Sequence, residues 1–230
     1  MLDGNTAVEA RGLYHIYRGI ELETIALRGA DISLEKGSWT SVMGPSGSGK
    51  STLLHVMAGL VEPNGGSVMI DSEDITRLPP RDRAQRRRSV IGVVLQRDNL
   101  HPLLDAAGNV ALPLRLDGRP REEVRERVEQ LLRDVGLLDR AGSRAGELSG
   151  GEAQRIAVAA ALAPRPRVLL ADEPTGELDD ATTDELLELV DSLRSREGAA
   201  VLTVTHNPRV AARADRRLTM RDGQVVHDAG

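Results

Sequence analysis

Gly44-Pro45-Ser46-Gly47-Ser48-Gly49-Lys50-Ser51-Thr52 is the stretch whose reading decides the fold. It has the spacing G-x-x-x-x-G-K-[ST], in which glycines let the backbone wrap an anion so that successive N–H groups point inward. The apolar run SWTSVM precedes it, and GKSTLLHVMAGL comes after it with Leu53, Leu54, Met57 and Leu60 at helical spacing. A strand, a glycine loop and a helix in that order separate a phosphate-binding loop from a chance glycine-rich turn. The helix N-terminus adds its partial positive charge. Lys50 is expected to reach the β and γ phosphates of a nucleotide, and the Ser51 hydroxyl to ligate Mg²⁺.

Upstream of the loop, AVEARGLYHIY and IALRGADISLE read as β segments, with Gly37 as a turn. Downstream, GGSVMIDSEDI is a second β region, succeeded by an arginine-rich stretch (Arg81, Arg83, Arg86, Arg87, Arg88) and the apolar run VIGVVLQ. The arginines read as a solvated helix face. Between Asp98 and Arg167 the pattern is helical, with EEVRERVEQLLRDVGLL and GEAQRIAVAAALA the clearest cases. RVLLAD then reads as a buried strand, TDELLELVDSLRSR as a helix, AAVLTVTH as a second buried strand, and residues 217–227 as a hairpin around Asp222-Gly223. A helical block thus interrupts an α/β sequence whose alternation implies a parallel sheet.

Composition narrows the classes. The 230 residues, 40% apolar, suffice for one large α/β domain or a core carrying a subdomain. A net charge of -5 gives no basic footprint for a phosphate backbone, so nucleic acid is not expected as a partner. With no cysteine, disulfides and thiolate metal sites are excluded, and a cytosolic place fits. The N-terminal MLDGNTAVEARG has acidic residues and no apolar core of a signal peptide, and no later run approaches the roughly 18 apolar residues of a membrane span. Lys36 and Lys50 are the only lysines, so a chain that otherwise uses arginine has kept one lysine inside the glycine loop. Phenylalanine is absent, and the core must be aliphatic.

Val168-Leu169-Leu170-Ala171-Asp172-Glu173 is an apolar strand ending in two carboxylates. Uncompensated charge is expensive to bury, and a metal ion supplies the compensation. Asp172 is expected to hold Mg²⁺ through water, and Glu173, pointing elsewhere, to polarise an attacking water as general base. The stretch Leu148-Ser149-Gly150-Gly151-Glu152-Ala153-Gln154-Arg155 is a second glycine loop opening a helix, hence a second phosphate-binding element. Ser149 is also a helix N-cap, which leaves the two glycines unexplained.

That last segment resembles the LSGGQ signature of the ABC ATPases, with Glu152 in the final place, and the resemblance runs from residue 7 to residue 227. It implies a RecA-like α/β core of a P-loop NTPase with an N-terminal antiparallel β subdomain and an inserted α-helical subdomain. Residues 1–96 and 166–230 would form the core and β subdomain, and residues 97–165 the helical subdomain with the signature. Tyr17 resembles the aromatic that stacks on adenine, with Tyr14 as the nearby rival. Gln96 resembles the glutamine that touches Mg²⁺ or the lytic water and senses a permease. Asp179 matches the D-loop and His206 the switch histidine. Nucleotide would be gripped by residues 44–52 of one chain and by Ser149, Gly150 and Gly151 of another, in an ATP-sandwiched homodimer.

Ala171-Asp172-Glu173-Pro174-Thr175-Gly176, Leu178-Asp179 and Asn109-Val110-Ala111-Leu112-Pro113-Leu114 are similar to the lipoprotein-releasing and macrolide-exporter subgroup, also close to the cell-division type. The subgroup implies an ATPase at the inner face of the cell membrane, attached through separate permease subunits. The sequence departs from the subgroup at Glu177, where asparagine is usual, and at Asp105 and Gly108, where threonine and glutamate are. The competing classes are an envelope-signalling or regulatory ABC ATPase that performs no transport, and one acting on DNA or ribosomes. The latter would need a long heptad insertion or a second cassette, and neither is present.

Overall fold

The computed structural model describes residues 5–19, 23–176 and 178–226. Two sheets organise it. Strands β1 (Thr6–Arg18), β2 (Glu23–Glu35), β4 (Gly65–Ile70) and β5 (Glu73–Asp74) form an antiparallel sheet in the order β2-β1-β4-β5. Strands β3 (Trp39–Met43), β6 (Ile91–Val94), β7 (Val168–Asp172), β8 (Ala200–Val204), β9 (Arg216–Arg221) and β10 (Gln224–Val226) form the second, in the order β10-β9-β3-β8-β7-β6. All its pairings are parallel except that of β9 with β10, the expected hairpin around Asp222-Gly223. His227 of that expectation lies outside the described residues.

The central strands β7 and β8 read as largely apolar runs because both faces of the sheet are covered there. All five residues of β7 and of β8 are buried. Helix α1 (Lys50–Met57) lays Leu53, Leu54 and Met57 on the sheet at zero exposure. Each such side chain contributes about 1.5–3 kcal/mol of transfer free energy. On the opposite face sits Trp39, also fully buried, with its indole N–H donating to Thr203 Oγ1 at 3.1 Å. A buried indole needs that acceptor.

The chain between β6 and β7 is helical: α3 (Ala106–Leu116), α4 (Arg121–Asp134) and α5 (Gly150–Leu162). Val124, Val128, Leu131 and Leu132 of α4 recur at i, i+4, i+7 and i+8 and are buried against this block, and of the charged positions between them only Arg127 is buried with them. Helix α6 (Asp180–Glu197) is capped by Asp179 at its start and by Gly198 at φ 70 at its end. A short helix α7 (Pro208–Arg213), which the apolar pattern did not reveal, starts at Pro208 under an Asn207 cap.

In α2 (Pro80–Val90) Arg81 is exposed as expected, but Arg83, Arg86 and Arg87 turn inward instead of forming a solvated face. Arg83 pairs with Glu62 (3.0 Å), Arg86 with Asp71 (3.4 Å) and Glu73 (2.8 Å), and Arg87 donates to the Gly59 carbonyl (3.1 Å). With Val90 as its one buried residue, α2 docks through guanidinium contacts instead of an apolar stripe. Among the described residues no helix is long and apolar enough to cross a membrane.

Candidate functional site

Strands β3, β7 and β8 run parallel, so the segments leaving their carboxyl ends emerge at the same edge of the sheet. Ligands of open α/β sheets bind outside these carboxyl ends. Residues 44–49 leave β3, Glu173 leaves β7, and Thr205 and His206 leave β8. Gln96 comes to the same edge after β6. They meet in a cavity of about 460 Å³ lined by Tyr17, Ser46, Gly47, Gly49, Lys50, Ser51, Thr52, Gln96, Glu173 and His206, with Thr24 and Ala26. A larger cavity of about 780 Å³ between α3 and α4 has Ala111, Val128 and Leu132 in its wall and none of the loop motifs. Volume does not mark the site here.

The loop geometry comes from its glycines. Gly49 holds φ 103 at the N-cap of α1, and a Cβ there would collide with the Ala26 carbonyl oxygen. Only glycine fits. No side chain caps α1, which leaves its first N–H groups to an anion. Lys50 Nζ lies across the loop and donates to the carbonyls of Gly44 (2.7 Å) and Pro45 (3.0 Å). Ser48 is buried within the loop, beside Gly44.

Two carboxylates leave β7 in different directions. Asp172 turns under the loop and accepts from Ser51 Oγ at 3.2 Å, with His55 Nε2 at 3.9 Å from its other oxygen. Burial pushes its carboxyl above the ordinary value, opposed by the Ser51 hydrogen bond and His55. Glu173 has φ 45, in the left-handed region that a non-glycine residue enters at a cost. Its Oε2 accepts from Thr205 Oγ1 (2.8 Å) and its Oε1 from the His206 backbone N–H (3.0 Å), with His206 Nδ1 also at 2.8 Å. The strained backbone aims this carboxylate into the cavity while Asp172 stays beneath it.

Tyr17 is half exposed at the cavity wall, with its hydroxyl 3.4 Å from Thr52 Oγ1. The buried His15 meets its ring edge-on at 4.5 Å between centroids. Tyr14 does not line the cavity; it pairs with Gly65 and Arg28 inside the antiparallel sheet.

The second glycine loop lies elsewhere. Ser149 caps α5, accepting from the Glu152 N–H at 3.3 Å, while Glu152 Oε2 accepts from the Ser149 N–H at 2.8 Å. Those bonds, the backbone one foremost, and Arg140 at 3.0 Å hold the Glu152 carboxyl down to about 2. Glutamate in the last signature position is therefore the capping partner of Ser149. Gly150 borders a separate cavity with Gln96 and Asn99, and neither Ser149 nor Gly151 lines that of the phosphate loop. Asp179 caps α6 through the Thr182 N–H (2.9 Å) and stands outside both cavities.

Sequence reasoning missed several residues that shape the site. Thr205 holds Glu173, and Asn99 clamps the turn before Gln96 by bonding both the N–H (2.7 Å) and the carbonyl (2.6 Å) of Leu95. Asn99 carries no local turn signal, because its side chain bonds a residue four positions upstream. The departures at Asp105 and Gly108 are coupled: Asp105 caps α3 by accepting from the Gly108 N–H (2.6 Å), and a Cβ at 108 would stand 2.8 Å from that carboxylate. Glu177 lies outside the described residues.

A phosphate-binding loop, a strand-end carboxylate pair and a histidine gathered at the carboxyl edge of a parallel sheet define a P-loop nucleotide-binding protein. The sequence profile of the ABC transporter family matches residues 27–176, and the chain belongs to that family as an ATP-binding ATPase cassette. It is 40% identical over 219 residues to the lipoprotein-releasing system ATP-binding protein LolD of Hyphomonas neptunium, covering 95% of this chain and 96% of that protein. It is 42% identical over 223 residues to the macrolide export ATP-binding/permease protein MacB of Rhodopseudomonas palustris. That match covers 97% of this chain and 34% of the relative, so the chain spans about a third of the length of MacB. The dimeric bacterial ABC transporter cassette MJ0796 superposes with a TM-score of 0.88 at 37% identity, over 95% of this chain and 96% of that one. A post-hydrolysis dimer of the same cassette, bound to ADP and Pi, gives 0.88 at 36% identity over 97% and 99%.

Proposed function

We propose that this chain binds Mg-ATP at residues 44–52 and hydrolyses it as one half of an ATP-sandwiched homodimer, driving a separate membrane permease of the lipoprotein-release or macrolide-export type. One observation carries the reading: a single cavity joins the phosphate loop to Glu173 and His206, while Ser149 and Gly151 stand outside it. A second phosphate-binding loop that cannot serve its own chain's nucleotide serves another's.

In this reading Tyr17 stacks on adenine, and the N–H groups of Gly47, Ser48, Gly49 and Lys50 cradle phosphate. Lys50 exchanges its loop carbonyls for β and γ oxygens. Ser51, Asp172 and Gln96 offer oxygen atoms that suit a hard divalent cation, and the buried Asp172 carboxylate is otherwise poorly compensated. Bound Mg²⁺ would neutralise charge on the phosphates. Glu173 orients and deprotonates water, and His206, held at its Oε1, faces the γ-phosphate. Ser149 and Gly151 of the other copy close the site, and Asp179 lies at the seam. Catalysis is then positioning and preorganised charge.

Residues 97–165 act as the helical subdomain. A groove of about 690 Å³ between it and the sheet is floored by Leu95, Leu100, Pro102, Leu112, Pro113 and Ala160, one turn of chain from Gln96. Leu103 stands 82% exposed in the loop beyond it. An apolar groove beside the residue that contacts the nucleotide suits a short amphipathic helix of a permease. The chain would then sit at the inner face of the cell membrane.

The test is recovery of the tagged chain from detergent-solubilised membranes together with a Mg²⁺-dependent ATPase assay. We expect co-purification with a multi-span protein and loss of that association on Leu103→Glu. An active ATPase recovered with no integral-membrane protein overturns the transport reading and leaves the regulatory one.

A further inference from the structure

Helices α5 and α6 begin at Ser149 and Asp179 and end at a shared buried guanidinium. Arg127, on the inner face of α4 and 7% exposed, donates from Nε to the Ala163 carbonyl (3.2 Å) and from Nη2 to the Leu162 carbonyl (2.9 Å). Its Nη1 donates to Glu197 Oε1 (2.9 Å) and reaches Gln130 Oε1 at 3.4 Å. Glu197 is the last residue of α6, and its side chain is 8% exposed. Leu162 and Ala163 close α5, where carbonyls have left the helical ladder.

A carboxylate at a helix C-terminus faces the negative end of the dipole, and burying it adds a desolvation cost. Arg127 offsets both, with Arg165 (3.5 Å) and Arg196 (3.8 Å) alongside. Buried pairs of this kind are weak evidence for stability, since apolar residues of equal volume often do as well. A planar fork does what they cannot: it fixes acceptors from two helices in one plane and so fixes the angle between those helices.

At the far ends the same helices touch. A Cβ on Gly151 would come within 2.6 Å of Thr182 Cγ2, and Arg155 of α5 pairs with Glu185 of α6 at 3.0 Å. With 13 residues α5 is about 20 Å long, so a tilt of about 3° at the pinned end moves Ser149 by about 1 Å. Misplacement on that scale can cost on the order of 10²-fold in rate.

We infer that Arg127 and Glu197 are a positioning pair that sets where Ser149 stands relative to Asp179, and so shapes the face one copy presents to the nucleotide of the other. The inference rests on the sandwiched-dimer reading of the proposed function. Neither residue lines the cavity of the phosphate loop, so ATP affinity of the single chain is independent of them.

The experiment uses the double variant Arg127→Met with Glu197→Gln, which removes both charges and strands neither, beside Arg127→Lys, which keeps the charge but not the fork. Affinity of the single chain for ATP without Mg²⁺, kcat, and ATP-dependent dimerisation in a Glu173→Gln background are measured in each. We expect ATP affinity within about twofold of wild type, kcat lower by about tenfold or more, and a comparably weaker dimer, with Arg127→Lys intermediate. Should the double variant not fold, Arg127→Lys carries the same comparison. Wild-type kcat and dimerisation in a folded variant, or a kcat loss matched by the loss of ATP affinity, overturns the inference. A wild type that hydrolyses ATP without dimerising overturns the sandwich reading instead, and the wild-type arm alone shows it.

Discussion

His206 and Glu173 meet at the mouth of the phosphate-loop cavity, with His206 Nδ1 2.8 Å from Glu173 Oε1 and the His206 backbone N–H at 3.0 Å from the same oxygen. Thr205 holds the other carboxylate oxygen at 2.8 Å, so three groups from the end of β8 fix a side chain that belongs to the end of β7. Parallel neighbours make this possible, because consecutive strand ends lie side by side.

Glu173→Gln keeps an oxygen acceptor for His206 but cannot take a proton. Its kcat is expected to fall by about 10²-fold or more with ATP binding intact, leaving a trapped ATP-bound dimer visible by sedimentation. Thr205→Val frees one carboxylate oxygen and is expected to lower kcat by about tenfold. Wild-type turnover in Glu173→Gln would remove the residue from the base role.

In the proposed reading Tyr17 stacks on adenine, worth on the order of 1 kcal/mol or about a fivefold change in affinity, and makes no contact with phosphates. Tyr17→Ala should raise KM more than it lowers kcat, while Tyr14→Ala, a sheet residue away from the cavity, should change stability and leave KM alone. Steady-state kinetics on both variants separate the outcomes, and the reverse pattern would move the adenine contact to Tyr14.

In the proposed sandwich, Lys50→Ala and Ser149→Arg damage opposite halves of a shared site. Each homodimer should be nearly inactive, whereas a mixed dimer pairs one intact loop with one intact signature and should regain measurable ATPase activity. Co-expression with two tags isolates the mixed species. Absence of recovery in a protein that stays monomeric at saturating ATP would end the sandwich reading.

Asp215 accepts from the Trp39 N–H at 2.7 Å and from Arg194 at 2.9 Å, and these, the Trp39 bond first, hold its carboxyl below the ordinary value of 3.8. A folded-state pKa below the unfolded one gives stability that is present above the unfolded value and lost as pH falls through the folded one. Wild-type stability should therefore decline below about pH 4 more steeply than that of Asp215→Asn, read from denaturant midpoints across the acid range. Parallel curves would show that the hydrogen bonds carry no proton linkage.

Much of the site was legible because its parts are local. The loop 44–52, the carboxylates of β7 and the signature are each contiguous, and each owes its conformation to glycines, caps or a strand end that neighbouring residues announce. The β strands and the interrupting helices were readable from periodicity for the same reason. Arg83 and Arg86 of α2 differ from the solvated face expected of them because their partners Glu62, Asp71 and Glu73 come from other elements. Short α7 went unseen because only Val210 and Ala211 of its six residues are buried, too few to set a period.

By itself, the sequence determined that this chain is a P-loop ATPase cassette, since motif spacing and alternating strands and helices are properties of the covalent chain. Tertiary structure decided the rest. It chose Tyr17 over Tyr14 as the cavity wall, gave Glu173 its partners Thr205 and His206, and bound the ends of α5 and α6 through Arg127. It also set Ser149 and Gly151 outside the cavity of their own phosphate loop. Each of these joins residues distant along the chain, and only the packing of strands side by side and helices end to end brings such residues within hydrogen-bonding reach.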